Sequence, residues 1–359
     1  MSPFFQILND KMKRTLIAFL IFAFSFAATA QPKIWSEKKA NDWYAQQGWP
    51  VGCDFLPSTA INQLEMWQPE TFDTITIDRE LGWAEQIGFN TLRVFLHDLV
   101  WENDSSGFTK RINTFLTIAS NHHIKPLFVF FDDCWNPEPR SGTQPLPKPG
   151  VHNSGWMRSP AQSVHNDSAR WSVLERYVKN VLASFKDDPR ILCWDLYNEP
   201  GNSGYNLTSM PLLKKIFEWA WSIRPSQPLT VGIWYDNKDL TEFQLNNSDI
   251  ITFHNYNKAE DMEKEIKELL KRNRPLICTE YMARTNGSKF ETHLPILKKY
   301  NVGAINWGFV SGKSNTIFPW GSKEGSTEPA TWFHDIFRKD GTPFDKNEVA
   351  TIKNLTGKN

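Results

Sequence analysis

The chain has 359 residues, with 40 basic and 40 acidic side chains and a formal net charge of zero. That length fits one large α/β barrel or two smaller domains. A neutral balance gives no electrostatic indication of a nucleic acid or an anionic membrane as partner. The composition is rich in aromatic residues, with 16 Trp, 25 Phe and 8 Tyr. These rings form either a large core or, in part, a groove that stacks against flat ligands such as sugars.

The first 30 residues are typical of a secretory signal peptide. Three basic residues precede the apolar run LIAFLIFAFSFAA, and small residues follow it: Lys11, Lys13, Arg14, and the segment Ala28-Thr29-Ala30. The run is short for a membrane span, and no later apolar segment has spanning length. We therefore expect an exported protein, periplasmic or extracellular, whose mature chain begins at Gln31. Met12 is an alternative start, which would make the first eleven residues an upstream extension.

The four cysteines do not suggest a metal site. Three of them lie in or beside apolar runs, and no CxxC or Cys/His cluster occurs: Cys53, Cys134, Cys193 and Cys278. Buried free thiols are the expectation, because cysteine packs well as a small hydrophobic residue. Export permits a disulfide but does not require one. We expect neither a metal nor a cofactor.

Eight short apolar runs with turn residues at their ends predict strands that are buried on both faces, as in a parallel sheet. The runs cover residues 49–55, 89–96, 124–131, 191–197, 228–234, 249–256, 275–280 and 302–307. Amphipathic stretches lie between them. One places Ile77, Leu81, Ala84 and Ile87 on a single helical face after the candidate N-cap Asp73. Two further stretches have similar stripes, formed by Leu213, Ile216, Phe217 and Ala220 and by Met262, Ile266 and Leu269.

Eight strands that alternate with helices over about 300 residues predict a (β/α)8 barrel. An open doubly wound sheet is the alternative, but no glycine-rich phosphate loop follows the first strand. We predict that residues 31–359 form a single catalytic barrel domain.

A barrel of this type places its functional side chains at the carboxyl ends of the strands. Reading those ends in order gives a ring of polar and aromatic residues: Arg93, Asp132, Asp133, Asn198, Glu199, His254, Tyr256, Glu280 and Trp307. Two isolated glutamates stand out in this ring. No Ser-His-Asp or Cys-His arrangement offers another nucleophile.

The motif WDLYNEP at residues 194–200 and the motif LICTEYMAR at residues 276–284 resemble the paired motifs of the clan A glycoside hydrolases. Within that clan the chain is most similar to family 5, the cellulase and mannanase family, over about residues 49 to 340. The resemblance implies a retaining mechanism on β-linked poly- or oligosaccharides of mannan, glucan or xylan type. It also implies that Glu199 is the acid/base and Glu280 the nucleophile.

The same resemblance assigns the surroundings of the reacting sugar to Arg93, Asn198, His254, Tyr256 and Trp307. A further family histidine is less clear, and His152 is the candidate. The chemistry explains these residue types, because retention requires one carboxylate that attacks the anomeric carbon and one carboxylic acid that protonates the leaving oxygen. We expect Arg93 to keep Glu280 ionised, whereas Glu199 needs a raised pKa.

Several of these residues have structural alternatives. Glu199 is alternatively a carboxylate at a helix start, and Glu280 an i, i+4 partner of Arg284. Arg93 and His254 are alternatively internal structural residues, and Tyr256 and Trp307 packing residues at the rim. Asp132 and Asp133 are either polar contacts in the active site or loop caps.

Two long insertions are expected at the same end of the barrel. Residues 134–171 are rich in Pro, Ser and Gly, and a connection of this length is usually functional. With Trp135, His152 and Trp156 it is predicted to form a wall of the substrate cleft, and an ordered Ω-loop that only covers the barrel rim is the alternative. A second insertion, after the eighth strand, would bring Phe318 and Trp320 to the same face. Two other function classes stay open, namely a catalytically silent carbohydrate-binding barrel and a transglycosylase.

Overall fold

Eight parallel strands form one sheet in the computed structural model, which describes residues 33–358. They are β1 (Val51–Asp54), β2 (Thr91–Phe95), β3 (Lys125–Asp132), β4 (Cys193–Asn198), β5 (Leu229–Thr230), β6 (Ile251–His254), β7 (Leu276–Glu280) and β8 (Gly303–Asn306). Strand β1 pairs with both β2 and β8, and the ladder continues in order around the ring. A bridge between Ile233 and Phe253 connects the last pair of neighbours, β5 and β6. The predicted (β/α)8 barrel is confirmed.

Strand β5 is much shorter than the seven residues expected from its apolar run. Beyond Thr230 the backbone leaves β4: Val231 and Gly232 bind side chains, and Ile233 binds the backbone of β6. The Val231 amide donates to Ser248 Oγ at 3.1 Å, and the Gly232 carbonyl accepts from Gln244 Nε2 at 2.6 Å. Because the buried polar backbone groups are satisfied in this way, the chain can leave the ladder early.

Helices surround the barrel, joined by short turns of 3₁₀ helix. They are α1 (Glu37–Ala45), α2 (Gln63–Trp67), α3 (Thr74–Gln86), α4 (Asp98–Asn103), α5 (Ser105–Asn121), α6 (Gln162–His165), α7 (Trp171–Phe185), α8 (Met210–Ile223), α9 (Lys238–Asn247), α10 (Ala259–Leu269), α11 (Phe290–Lys299) and α12 (Lys346–Thr356). The predicted stripes are buried, and Asp73 caps α3 by accepting from the Thr76 amide at 3.0 Å.

Helix α1 covers the amino end of the barrel. The Trp35 amide, just before the helix, donates to Asp249, and the Tyr44 hydroxyl donates to the carbonyl of Asn301. Both acceptors precede a barrel strand, so this end of the barrel is closed. The carboxyl end is therefore the end that is available for a site.

The described residues from Ile34 onward form one compact unit. All four cysteines are free and buried, as predicted. Within the described part of the chain no helix combines the length and the apolar character needed to cross a bilayer. The predicted signal peptide lies outside the described residues.

Candidate active site

Glu199 follows the last residue of β4 and has a strained backbone. Its φ is +45°, in the left-handed region that non-glycine residues rarely adopt, and Pro200 comes next. Conformations of this kind cost about 1–3 kcal/mol and persist where the surrounding structure enforces them. The side chain does not cap a helix. Instead the strain directs the Glu199 carboxyl into the cleft at the carboxyl end of the barrel.

Glu280 is the last residue of β7 and lines the same cleft. One carboxylate oxygen of Glu280, one of Glu199 and a ring nitrogen of His254 all lie within 4.8 Å of one another. The two glutamates therefore face each other across a gap close to the size of one sugar ring. The alternative pairing of Glu280 with Arg284 is wrong, because Arg284 binds Glu348 at 2.7 Å.

The two carboxyl groups share His254, whose Nδ1 lies 3.5 Å from Glu280 Oε2, and otherwise have different partners. Glu280 accepts from Arg93 Nη1 through Oε1 and from the Tyr256 hydroxyl through Oε2, both at 2.8 Å. Glu199 Oε1 lies 2.9 Å from His254 Nδ1. Its Oε2 accepts from the Cys134 thiol at 3.2 Å and from Asn202 Nδ2 at 2.5 Å. Arg93 and Tyr256 thus bind Glu280, as expected for Arg93.

Arg93 is fully buried beneath the cleft and is shared among three carboxylates. Besides Glu280 it binds Asp54 at 3.0 Å and Asp195 at 2.8 Å, and its Nη2 also donates to Asn198 Oδ1 at 2.7 Å. Its position is explained by register, since Asp54 and Arg93 are paired residues of neighbouring strands. One cation thus holds an anionic cluster together and fixes the orientation of Glu280.

Burial raises the pKa of both glutamates. For Glu199 the hydrogen bonds from Cys134 and Asn202 act against burial without cancelling it. For Glu280 burial dominates, His254 and Arg93 act against it, and the charge of Glu199 adds to it. Arg93 therefore acts in the expected direction on Glu280 but does not lower the pKa below its ordinary value. Its charge is divided among Asp54, Asp195 and Glu280, which explains the difference.

The neighbouring side chains are in defined protonation states near neutral pH. Burial lowers the pKa of His254 to about 4, so the imidazole is neutral. Burial, together with the charge of Glu280, raises the pKa of Tyr256 well above its usual range, so the phenol keeps its proton and donates it to Glu280. Arg93 and Tyr256 both act to stabilise the charged form of Glu280, and the charge of Arg93 also acts on Glu199.

Asp132 differs from the expectation of a substrate contact, because it is absent from the residues that line the cleft. It is 1% exposed, and its oxygens accept from Asn198 Nδ2 at 3.0 Å, from the Cys134 amide at 2.8 Å and from Trp156 Nε1 at 2.6 Å. Asp132 thus orients other residues of the site. Asp133 likewise binds Tyr197 and Ser209 internally.

The cleft has a volume of about 460 Å³, within the range of small-molecule sites. Five of the predicted side chains line it beside the glutamates: His152, Asn198, His254, Tyr256 and Trp307. Two tryptophans on its rim are unusually exposed, Trp135 at 45% and Trp320 at 41%. Exposed indole faces beside a polar cleft provide the apolar surfaces on which sugar rings stack.

Both long insertions lie at the barrel end that carries Glu199, as predicted. Trp135, His152 and Trp156 line the cleft from the first, and Trp320 from the second. His152 Nδ1 lies 2.7 Å from the Phe318 carbonyl, so the histidine joins the two insertions. Burial lowers its pKa to about 4, and its ring is neutral near pH 7. A contact between His152 and substrate stays a prediction.

The cleft could also bind a cation. Glu199, His254 and Glu280 offer two carboxylates and an imidazole with the spacing of metal ligands. Carboxylate and imidazole donors suit several divalent metals. These are the same three groups that the predicted acid/base chemistry uses, so a metal bound there would compete with a sugar.

Sequence reasoning missed several residues of the site. Asp54 is the last residue of β1 and lies near the end of the first predicted strand, and Asp195 is an acidic residue inside an apolar strand. Both positions were signals, because a buried carboxylate requires a partner. Cys134 and Asn202, which contact Glu199, gave no such signal, since their contacts depend on how the loops after β3 and β4 fold.

Known protein families and solved structures include proteins that are similar to this chain. The family model described as Cellulase (glycosyl hydrolase family 5) matches residues 150–312, which include both glutamates. No curated protein matches the chain by sequence. Among solved structures, an endo-1,4-β-mannanase from Rhizomucor miehei is 15% identical, with a TM-score of 0.55 and coverage of 85% of this chain and 97% of the mannanase.

Two further solved structures are similar to this chain. GH5_18 from Streptomyces cattleya, in complex with GlcNAc, is 12% identical, with a TM-score of 0.55 and coverage of 86% of this chain and 79% of that one. An exo-β-1,4-mannosidase from Opitutaceae bacterium strain TAV5 is 15% identical, with a TM-score of 0.58 and coverage of 86% and 59%. At these identities the likeness shows the barrel fold. The family match includes both glutamate motifs, so over residues 150–312 the chain is similar to the glycoside hydrolases of family 5.

Proposed function

We propose that the protein is a retaining β-glycosidase that hydrolyses β-linked poly- or oligosaccharides through a covalent intermediate on Glu280. The observation that carries this proposal is the pair of glutamates with oxygens within 4.8 Å of each other, of which only Glu280 is bound by Arg93 and Tyr256. Retaining enzymes have carboxyl groups about 5–5.5 Å apart, whereas inverting enzymes need roughly 6.5–9.5 Å to fit a water molecule. The observed spacing supports the retaining class.

The roles follow from the hydrogen bonds. Glu280, held by Arg93 and Tyr256, attacks the anomeric carbon while Glu199 transfers its proton to the leaving oxygen. Glu199 then takes a proton from the water that hydrolyses the glycosyl ester. Asn198, fixed by Arg93 and Asp132, is placed to hydrogen-bond the 2-hydroxyl of the reacting sugar. Trp307 lines the cleft as an apolar surface for the ring.

The first substrates to test are β-1,4-linked mannosides. Two of the similar structures are a β-mannanase and a β-mannosidase, which supports this order of testing without fixing the sugar. Gluco- and xylo-oligosaccharides are the parallel series, because mannose and glucose differ at one hydroxyl.

The test is the stereochemistry of the first product. Proton NMR of a β-glycoside digest is expected to show the β-anomer first, followed by slow mutarotation to the α-anomer. Release of the α-anomer first would contradict the retaining mechanism. Absence of hydrolysis across aryl mannosides, glucosides and xylosides would favour a silent carbohydrate-binding barrel. Transglycosylation would appear as products longer than the substrate.

Cys134 is expected to tune the acid/base. Burial raises the pKa of the thiol well above its usual range, so it stays protonated and donates to Glu199. Its removal in Cys134→Ala takes away a contact that lowers the pKa of Glu199. Activity requires protonated Glu199 and is lost as pH rises through its pKa, so the alkaline limb of kcat against pH should move to higher pH. We expect kcat to decrease by less than about tenfold.

Cys134→Ser is the matched control for that measurement. A serine hydroxyl can still donate to Glu199 Oε2, so its alkaline limb should stay near that of the wild type. If Cys134→Ala leaves the limb unmoved or shifts it to lower pH, the thiol does not lower the pKa of the acid/base.

We also propose export of the protein to the periplasm or the medium, supported by the basic, apolar and small-residue order of residues 11–30. Intact mass spectrometry of the exported protein should show a chain that begins at Gln31. Recovery of exported material that retains Met1 or Met12 would contradict cleavage at this site.

A further inference from the structure

We propose that the cleft is blocked on its glycone side and that the enzyme removes single sugars from the non-reducing ends of β-linked chains. This inference rests on the proposed function and adds the mode of action. It is carried by a wall, defined here as residues 55–68 after β1, residues 142–157 after β3 and residues 312–326 after β8. Hydrogen bonds between these three segments join them into one structure.

The β3 and β8 segments of the wall are connected along their length. His152 contributes two contacts, from its amide to Ser322 Oγ at 2.9 Å and from Nδ1 to the Phe318 carbonyl at 2.7 Å. Backbone hydrogen bonds join Asn153 to Ser314 at 2.8 Å and Gly325 to Pro149 at 2.9 Å, and Asn315 Nδ2 donates to the Lys148 carbonyl at 3.1 Å. These loops follow strands on either side of β1 and β2, so their junction spans that sector of the rim.

The β1 segment of the wall is bound to the other two segments. Asn62 Nδ2 donates to Gln144 Oε1 at 2.9 Å and to the Gly155 carbonyl at 2.8 Å, which ties it to the β3 segment. Lys313, in the β8 segment, binds the Ser58 carbonyl through its amide and Glu65 through Nζ. Asn62 is fully buried. A wall held by buried polar contacts on both sides is a fixed boundary of the cleft.

The position of the glutamates sets the direction of the substrate. The acid/base must touch the leaving oxygen, so the leaving group lies beside Glu199 and its neighbours Asn202 and Trp234. The sugar that is transferred lies over Glu280, and its non-reducing end points away from Glu199. On that side Trp320 packs edge-on against Tyr256 with ring centroids 4.9 Å apart, and the Tyr256 hydroxyl binds Glu280. The wall therefore begins at Trp320, and the Tyr256 ring lies between Trp320 and the nucleophile Glu280.

The opposite side of the cleft is bordered by shorter connections. Residues 199–209 follow β4, residues 231–237 follow β5 and residues 255–258 follow β6. They place Asn202, Ser203, Trp234 and Asn257 along the cleft, and no wall of comparable length rises from them among the described residues. A long leaving group can extend over this side, whereas a chain that continues past the non-reducing end meets His152 and Trp320.

The wild-type test uses β-1,4-linked manno-, gluco- and xylohexaose with a fluorophore at the reducing end. For the series that is cleaved, early products should be the labelled pentamer and free monosaccharide, and the polysaccharide solution should keep its viscosity. Labelled dimers and trimers at the earliest times, with a rapid fall of viscosity, would overturn the inference. Hydrolysis of an aryl monoglycoside shows that the enzyme is active. If the active enzyme cleaves the oligosaccharides internally, only the proposed mode of action is overturned. Inactivity on every substrate overturns the proposed function and this inference with it.

A pair of glycine variants tests whether the wall is the cause. Gly150 has φ +75°, and a Cβ there would lie 2.4 Å from the Ser326 carbonyl oxygen, across the junction. Gly48, exposed before β1 and outside the wall, has φ +71°, and its Cβ would meet no atom within 4 Å. Gly150→Ala should force the junction apart and raise the ratio of internal to terminal cleavage about tenfold or more. Gly48→Ala carries the backbone strain alone and should keep the wild-type products.

A second variant covers the case in which Gly150→Ala does not fold. The double variant Asn315→Ala and Ser322→Ala removes two side-chain contacts of the junction without a clash. Ser326→Ala is its control, because the Ser326 hydroxyl binds only within its own loop, to Lys323. A rise of internal cleavage in the double variant supports the inference. Unchanged product lengths in a folded double variant and in a folded Gly150→Ala would overturn the role of the wall.

Discussion

Glu280→Gln is expected to lower kcat on every β-glycoside by at least about 10⁴-fold, whatever the leaving group. The amide cannot attack the anomeric carbon, and no other carboxylate among the described residues lies in the same position between Arg93 and Tyr256. Steady-state rates with aryl glycosides and with oligosaccharides measure the effect. A 2-deoxy-2-fluoro glycoside that forms a stable ester should add its mass to the wild type at Glu280 and should leave Glu280→Gln unlabelled.

The fold of this variant is expected to survive. The cluster around Arg93 contains three carboxylates, so the loss of one negative charge relieves repulsion between Asp54, Asp195 and residue 280. Thermal unfolding should therefore show no large decrease in Tm. Glu268→Gln on the exposed face of α10 is the matched control, with activity near that of the wild type. Activity of Glu280→Gln within tenfold of the wild type would exclude Glu280 as the nucleophile.

Glu199→Ala is expected to lower kcat/KM by about 10³- to 10⁴-fold on oligosaccharides, whose leaving groups need a proton. Aryl glycosides with highly acidic phenols should lose far less in the first step, because their leaving groups depart without a proton. With such substrates the ester on Glu280 should accumulate, since the base that activates water is missing. A burst of released phenol followed by a slow steady state measures this expectation. Glu218→Ala, exposed on α8, is the surface control.

Azide provides a further measurement on the same variant. A small anion does not need a general base, so it should attack the accumulated ester and accelerate turnover. Attack on the face opposite Glu280 should give the β-glycosyl azide, which NMR identifies. Glu280→Gln should give no β-azide. Equal losses on activated and unactivated substrates, with no azide product, would contradict the assignment of Glu199 as acid/base.

Much of the fold was predictable from the chain because its signals are local. Each strand is a short apolar run, and each helix shows its stripe within a few turns. The ring of side chains at the strand ends followed directly from the barrel, which explains why Arg93, Asn198, His254, Tyr256 and Trp307 were found. The two glutamates were found in the same way, and their motifs added specificity.

The features of the site that the sequence did not predict depend on contacts between loops and on a charge shared by several groups. The contact between Cys134 and Glu199 joins two separate loops, and no local pattern encodes it. Asp132 looks like a cleft residue in the sequence, but the fold directs it toward Asn198 and Trp156. The pKa of Glu280 was expected to be low because Arg93 was considered alone. Asp54 and Asp195, which share that arginine, only become its neighbours when the barrel closes.

The wall also bears on how chemistry and specificity are divided along the chain. The match to the family model ends at residue 312, whereas the β8 part of the wall continues through Gly325. Its contacts with His152 join residues 166 and 170 positions apart in the chain. In the proposed mode of action the two glutamates fix how a glycosidic bond is broken, while contacts between distant loops decide which bond of a polymer can reach them. Changes in those loops alone would then alter the mode of action and leave the glutamates as they are.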